Sequence, residues 1–301
     1  MTNRLGKMKI GSITFQAVIY MLLLIFLIFT FYPFYYCVML SFNDGKDAQL
    51  GGVYFWPRVF TLANYARTLS DPQLLVAARN STLRTILTTV IAVIFTALFA
   101  YGVSRPGVLF RKFYLAVGMI TMYFSGGLIP YFLLIKQLGL LDHFLVYIIP
   151  GMFSMYNAVI FMSFFKTIPM AMEESAKIDG ANEFVVFFRI ILPVSTPVLA
   201  TIALFVGVGQ WNSWFDTMLY TKSRNLETLQ HVIMRMINTQ AYLERTIEAG
   251  AKSDKIQLIR GTTTNALQLS VMTITSFPII VAYPFLQKYF MKGIMIGSIK
   301  G

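Results

Sequence analysis

The sequence predicts an all-α integral membrane protein, and three observations point to that class. Of its 301 residues, 56% are hydrophobic and only 13% are charged, whereas soluble proteins carry about 25% charged residues. The apolar residues are gathered in about six runs, each close to the roughly 20 residues that a helix needs to cross a bilayer. The basic residues lie mostly between these runs. A bundle of lipid-embedded helices accounts for this pattern better than a soluble core does.

Six transmembrane spans are predicted, forming one domain over residues 1–301 with no soluble second domain. The first run is too long for a signal-peptide core and is not followed by a small-residue cleavage pattern, so we expect it to remain in the protein. Prolines such as Pro33 and Pro278 are tolerated in membrane helices where neighbouring groups satisfy the freed carbonyls. The predicted spans are residues 16–42, 83–103, 113–135, 144–165, 194–220 and 266–290.

Short basic segments predict that both termini lie in the cytoplasm. The N-terminal arm, the segment 105–112 and the C-terminal tail carry Lys and Arg but no acidic residue. Such segments orient towards the cytoplasm, although the total of basic residues on the two sides does not decide. The net charge of +12 is explained by anionic lipid headgroups rather than by nucleic acid. We therefore expect a multi-pass membrane protein with both termini in the cytoplasm.

The sequence lacks the residue patterns of an enzyme or a metal site. It contains no Gly-x-x-x-x-Gly-Lys-Ser/Thr phosphate loop and no His-Glu-x-x-His pair, which are the signatures of nucleotide and zinc chemistry. Its one cysteine, Cys37, lies in an apolar run, and His143 and His231 are isolated. We expect no catalytic residue, metal or cofactor in this chain.

The segment 166–193, KTIPMAMEESAKIDGANEFVVFFRIILP, predicts a helix–turn–helix at the membrane surface. Pro169 suits the first turn of a helix that runs over residues 170–178, and Gly180 can end that helix in a left-handed turn. Asn182 can cap a second helix that leads towards the membrane. The small residues near the bend allow another protein to approach closely. The alternative is an ordinary amphipathic connection between two spans.

These residues also resemble the EAA loop of ABC importer permeases. Glu174-Ser175-Ala176, Gly180 and the ending Ile190-x-Leu192-Pro193 stand at the spacing of that family, with serine in place of the usual alanine. The resemblance implies that this loop is a cytoplasmic coupling helix, which docks on an ATPase subunit. It further implies that Glu174 pairs there with a basic residue and that Gly180 shapes the bend. The implied coupling residues are Glu173, Glu174, Ser175, Ala176, Asp179, Gly180 and Ala181.

Nearly the whole chain is similar to the MalG-like branch of these permeases, and to its LplC/YtcP type in particular. The resemblance rests on Trp211-Asn212-Ser213-Trp214-Phe215, on the ending QKYFMKGIMIGSIKG and on the segment FYPFYYCVMLSFNDGKDAQLGGVYFWPRVFTLANY. The second permease of bacterial alginate importers is similar as well. The resemblance implies a six-helix permease that moves oligosaccharides. It also implies as partners a second homologous permease, two ATPase subunits that bind ATP and Mg²⁺, and an extracytoplasmic substrate-binding protein. The alternatives are a secondary transporter and a permease for another solute such as a peptide.

Polar residues in the fifth span are the candidates for a substrate pathway. Amide groups and aromatic faces hold sugars, so Gln210, Trp211 and Asn212 are expected to line it; packing against the partner permease is the rival interpretation. Asp216 either faces a cavity or lies near the outer end, where water reaches it. Arg79 and Arg84 at the start of the second span contact either lipid headgroups, or a partner or an anionic substrate.

The predicted outer segments are basic, which suggests an acidic substrate. A positive vestibule attracts anions and speeds their association, so uronate oligosaccharides such as alginate fragments fit; the alternative is that these charges are solvated or dock a binding protein. The first segment carries Lys46, Arg58, Arg67, Arg79 and Arg84 against Asp44, Asp47 and Asp71. The second carries Lys222, Arg224, Arg235, Arg245, Lys252, Lys255 and Arg260 against Glu227, Glu244, Glu248 and Asp254.

Overall fold

A computed structural model describes residues 10–248 and 265–298 of the chain, and its side chains over 15–48, 50–239, 241–242 and 265–284. Over these residues the regular secondary structure is helical, joined by turns and irregular segments, and one isolated bridge pairs Asn43 with Phe60. The helices are α1 (Ile10–Ser41), α2 (Gly45–Gln49), α3 (Ala63–Ser70), α4 (Pro72–Ser104), α5 (Arg111–Tyr123), α6 (Leu128–Gln137), α7 (Met155–Phe165), α8 (Ala171–Ile178), α9 (Glu183–Val186), α10 (Leu192–Val194), α11 (Thr196–Asn212), α12 (Phe215–Tyr220), α13 (Leu229–Glu248) and α14 (Asn265–Ser298). Short 3-10 turns cover Phe144–Tyr147, Ile149–Gly151 and Arg224–Leu226, and a π-helix covers Phe187–Ile191.

Three helices are long and apolar enough to cross a membrane, and up to six spans result if three bent helix pairs each count as one. The single helices are Phe15–Ser41 within α1, the whole of α4, and Asn265–Pro284 within α14. Helix α4 begins well before the predicted residue 83 because Asp71 caps it, accepting a bond from the amide of Gln73 at 2.8 Å. Pro72 follows as its first residue, where a missing N–H costs nothing.

The predicted third span is divided by a sharp bend. Helices α5 and α6 meet at 118°, around the sequence Ser125-Gly126-Gly127. Gly127 has a φ of +84°, a conformation that a side chain disfavours. Hydropathy alone does not register such a break, because the glycines leave the segment apolar. The pairs that cover the fourth and fifth predicted spans are bent by 46° and 83°.

The chain forms two compact units, Met1–Thr68 with Gln240–Ile274 and Leu69–Thr239 with Thr275–Gly301, each considered over its described residues. In the first unit, Asn64 ties the end of α1 to α3, because its side-chain amide donates to the carbonyls of Ser41 (3.0 Å) and Asn43 (2.9 Å). The Thr68 hydroxyl lies 3.0 Å from that of Ser270. Polar side chains therefore fasten the helices of this unit.

In the second unit, α4 packs against α7 and α11 around one apolar core. Ala97, Ala100 and Ala158 are fully buried there, and such small residues let membrane helices approach closely. Phe161 and Phe165 on α7 stack at 5.7 Å and fill the space beside them. The end of α4 is thereby held against the segment that follows α7, which is the 166–193 loop.

Candidate functional site

The 166–193 loop folds as two helices joined at Gly180, as the sequence predicts. Helix α8 begins at Ala171, two residues after Pro169. Gly180 has a φ of +83°, and the amide of Ala181 donates to the carbonyl of Ala176 at 2.9 Å, closing the end of α8. Asn182 caps α9 by accepting from the amide of Val185 at 2.9 Å. A π-helix and α10 continue α9.

The two adjacent glutamates of α8 point in opposite directions. Glu173 is buried, with only 4% of its surface exposed, whereas Glu174 is exposed, as are Ser175 and Asp179. The alanines at 176 and 181 are half-buried against the core. Glu174 is thus free to meet another protein, and Glu173 faces α4.

Glu173 meets the end of α4 through two side chains that sequence reasoning missed. Its carboxylate forms an ion pair with Arg105 and accepts a hydrogen bond from the Tyr101 hydroxyl at 3.2 Å. We call Tyr101, Arg105 and Glu173 the α4–α8 cluster. The four-residue spacing of Tyr101 and Arg105, which places them on one helix face, was the signal available in the sequence.

Glu183 at the start of α9 is the second acid near this cluster. It forms an ion pair with Lys177 at 2.5 Å on the loop surface. The hydrogen bond that Lys177 donates in this pair has the largest effect on the pKa of Glu183 and holds it below its ordinary value. Burial opposes this with a smaller effect, and the charge of Lys177 adds to the lowering. A cleft of about 630 Å³ lies between these groups and the segment after α4.

A second polar network joins α4 to the end of α11 and to α12. Arg84 is buried, with 1% of its surface exposed, and its Nη2 and Nη1 lie 2.5 and 3.1 Å from the two carboxylate oxygens of Asp216. Nη2 also donates to Gln210 Oε1 at 2.8 Å. The guanidinium lies 4.4 Å from the ring centre of Tyr147, close enough for a cation–π contact. We call Arg84, Tyr147, Gln210 and Asp216 the Arg84 cluster.

The interpretation of Arg84 as a lipid-headgroup contact is wrong. Its charge is buried and is neutralised within the chain by Asp216. Such burial is tolerated because a paired and hydrogen-bonded guanidinium is far less costly to bury than a free one. Arg79, five residues earlier, is exposed. A hydropathy profile locates a charged residue along a span, but it does not show which charged group of another helix lies beside it.

The four candidate pathway residues have partners within the chain. Gln210 and Asp216 contact Arg84, the Trp211 indole donates to the carbonyl of Thr275 at 3.0 Å, and Asn212 accepts from the amide of Gln230 at 3.2 Å. Trp211 also lines an apolar cavity of about 260 Å³ between α4, α11 and α14. The side chains of Gln210 and Asp216 thus meet at Arg84, whereas the side chain of Trp211 contacts α14 instead. Their role in substrate contact stays a prediction.

Within the residues that the structure describes, no group of three or more His, Cys, Asp or Glu side chains is placed to hold a metal ion. Cys37 is a free cysteine on α1.

The chain is similar to known membrane permeases along most of its length. Protein LplC of Bacillus subtilis (strain 168) is 37% identical over 272 residues, which make up 90% of each chain. The polygalacturonan/rhamnogalacturonan transport system permease protein YtcP of the same organism is 32% identical over 289 residues, covering 95% of this chain and 98% of that protein. No family model matches the sequence.

Among solved structures, the crystal structure of a bacterial ABC transporter involved in the import of the acidic polysaccharide alginate contains a similar chain. The TM-score is 0.79 at 28% identity, and the match covers 94% of this chain and 98% of that chain. The helical architecture, the helices able to span a membrane and these full-length similarities agree. The chain is a multi-pass protein of the bacterial inner membrane, and it belongs to the permeases of sugar-importing ABC transporters.

Proposed function

We propose that this chain is one of two homologous permease subunits in an importer for acidic oligosaccharides, driven by two ATPase subunits. The observation that carries the proposal is the geometry of the 166–193 loop. Its bend at Gly180 is exposed, while α8 and α9 are fastened to α4 from behind. A loop held in this way presents a fixed surface to a partner.

The exposed side of the loop fits a protein partner. Ile178 beside the bend is 86% exposed and Phe184 on α9 is 63% exposed, and apolar side chains at the surface of a membrane protein's connecting loop favour a protein contact. Glu174 lies on the same exposed side and would pair with a basic residue of the ATPase subunit. ATP and Mg²⁺ are bound by that subunit, and this chain carries no chemical step.

The loop lies in the cytoplasm in this proposal, and both termini lie there with it. Residues such as Lys222 and Ser223, one span further along the chain, then lie outside, where an extracytoplasmic binding protein delivers the substrate. The short basic segments of the sequence support this orientation.

The acidic substrate is supported by charge and by the relatives. The predicted outer segment 43–84 carries five basic residues, Lys46, Arg58, Arg67, Arg79 and Arg84, against three aspartates, Asp44, Asp47 and Asp71. Among the similar proteins, YtcP is named for polygalacturonan and rhamnogalacturonan and the similar solved structure for the acidic polysaccharide alginate, whereas less similar permeases are named for arabinooligosaccharides and for trehalose and maltose. Arg84 is neutralised by Asp216, so attraction depends on the exposed residues, Arg79 among them; Lys252, Lys255 and Arg260 lie outside the described residues.

The test is ATP hydrolysis by the whole importer in proteoliposomes. The complex of both permeases, the ATPase subunits and the binding protein is supplied with an alginate oligomer, a galacturonate oligomer or a neutral oligosaccharide of equal length, at low and high salt. We expect the uronates to stimulate hydrolysis and uptake, and high salt to reduce their effect. Equal or better uptake of the neutral sugar would reject the acidic substrate, and stimulation by none of the three sugars would reject an oligosaccharide importer.

A further inference from the structure

The α4–α8 cluster links the docking loop to α4, a helix of 33 residues with many buried side chains. Glu173 on α8 is buried and contacts two side chains of α4 and its C-cap, Tyr101 and Arg105. The Arg105 guanidinium also lies 4.7 Å from the centre of the Tyr101 ring. Each of the three side chains therefore contacts the other two.

The ion pair in this cluster has no substitute among the described residues. Apart from Glu173, no hydrogen bond reaches the buried Nε and Nη2 of Arg105, and the same holds for Glu173 Oε1 apart from Arg105. Removing either side chain leaves the other charge without its ion-pair partner, whereas removing both charges does not. A variant that lacks both charges therefore tests whether the pair has a role in coupling besides its role in stabilising the fold.

The cluster holds both helices of the loop. The Tyr101 hydroxyl lies 3.2 Å from a carboxylate oxygen of Glu173 on α8 and 3.2 Å from one of Glu183 on α9. Beside the cluster, Arg111 Nε donates to the carbonyl of Val103 at 2.7 Å and links the start of α5 to the end of α4. The bend at Gly180 thus cannot move without pulling on the end of α4.

Helix α4 connects this cluster to the Arg84 cluster. Arg84 and Tyr101 lie on the same uninterrupted helix, Pro72–Ser104, and at a rise of 1.5 Å per residue they are about 25 Å apart along its axis. Since a helix behaves as a rigid element, a displacement at one end reaches the other. At that other end, Arg84 contacts both α11 and α12 through Gln210 and Asp216.

We propose that Glu173, Arg105 and Tyr101 are positioning residues through which movement of the 166–193 loop is passed to α4 and the transmembrane helices. The inference rests on the proposed function, because it assigns a route to the coupling between ATP hydrolysis and transport. Docking on the ATPase subunit uses the exposed side of the loop and does not need the cluster. Coupling does need it, because the cluster is the loop's ionic link to α4.

The experiment compares three variants of the full importer in proteoliposomes: Glu173→Gln, Arg105→Met and the double variant. For each we would measure the amount of assembled complex, the unstimulated ATP hydrolysis, and the stimulation and uptake produced by the loaded binding protein. We expect assembly of the double variant to equal that of wild type, with stimulation and uptake per complex reduced at least about fivefold, the lower end of typical coupling effects. Arg105→Lys should recover part of the stimulation.

One control variant and two contrasting outcomes make the result decisive. Lys112→Met removes an exposed cation on α5, outside the loop, and should leave stimulation unchanged. Full stimulation and uptake in the double variant would overturn the inference, because the pair would then serve folding alone. A wild-type complex that shows no stimulation by any sugar would instead reject the proposed function, so the two failures are distinguishable.

Discussion

Arg84 and Asp216 form a two-point ion pair between α4 and α12, with oxygen–nitrogen distances of 2.5 and 3.1 Å. The arginine side chain is 1% exposed and the aspartate side chain 24%. Two charged groups that lie far apart in the sequence thus neutralise each other within the helix bundle. Their energetic weight can be measured by removing them singly and together.

We expect Arg84→Met or Asp216→Asn to destabilise the purified permease by about 3–5 kcal/mol, the usual cost of leaving one buried charge unpaired. The double variant should recover most of that loss, because no charge is orphaned. Thermal unfolding in detergent, followed by fluorescence-detected size exclusion, measures the effect. Arg79→Met, an exposed arginine on the same helix, is the control. Equal stability of the two single variants and wild type would contradict the expectation.

Gly180→Val should remove the stimulation of ATP hydrolysis by substrate while the protein still inserts in the membrane. At its φ of +83° a side chain costs roughly 1 kcal/mol or more, so the bend must change shape. Gly139→Val is the matched control, since Gly139 also has a positive φ of +69° with no atom near its missing Cβ but lies outside the loop. Normal stimulation in the Gly180 variant would exclude a coupling role for the bend.

Gly151→Ala should destabilise the bundle by about 1–3 kcal/mol through overpacking. A Cβ at residue 151 would lie 2.8 Å from Thr88 Cγ2 and 2.9 Å from Gln210 Nε2. Adding Thr88→Ser removes the closer methyl group and should restore part of the stability. Gly209→Ala, where nothing lies within 4 Å, is the control on the neighbouring helix. The melting temperatures of these variants decide, and an unchanged value for Gly151→Ala would refute the close packing.

Asp142 should give the permease a stability contribution that disappears in acid. The amides of Ser223 and Lys222 donate to its carboxylate at 2.8 and 2.9 Å and, in that order, lower its pKa. The contribution is complete above the unfolded pKa near 4 and is lost as pH falls through the lower folded value. Asp142→Asn keeps an acceptor and tolerates the φ of +55°. The melting-temperature difference between wild type and this variant should shrink below about pH 4; a difference that stays constant there would argue against the effect.

The proposed orientation predicts opposite labelling of two loops. In a Cys37→Ser background, Ser175→Cys should resist a membrane-impermeant maleimide in intact cells, whereas Ser223→Cys should react. The reagent reaches only the outer face, and Ser175 is exposed on its loop. The reverse pattern would place the termini outside.

The loop was predictable from sequence because its signals are local. Gly180, Asn182 and the EAA spacing lie within one short segment, and each acts on its immediate neighbours. The Arg84–Asp216 pair was not predictable, because its members are 132 residues apart and hydropathy carries no information on which helices adjoin. The division of the third span was missed for a different reason, since Gly126 and Gly127 break a helix without making it less apolar.

The bend between α5 and α6 has a consequence for the assembled membrane protein. Four non-helical residues, Phe124 to Gly127, separate two helices that are together long and apolar enough for one span, and α5 has no residue that is buried among the described residues. Peptide groups outside a helix cannot be left in hydrocarbon, where their hydrogen bonds would be lost. This stretch must therefore face a water-filled passage or be covered by another polypeptide. The isolated subunit does not satisfy the hydrogen bonds of these peptide groups when lipid surrounds it.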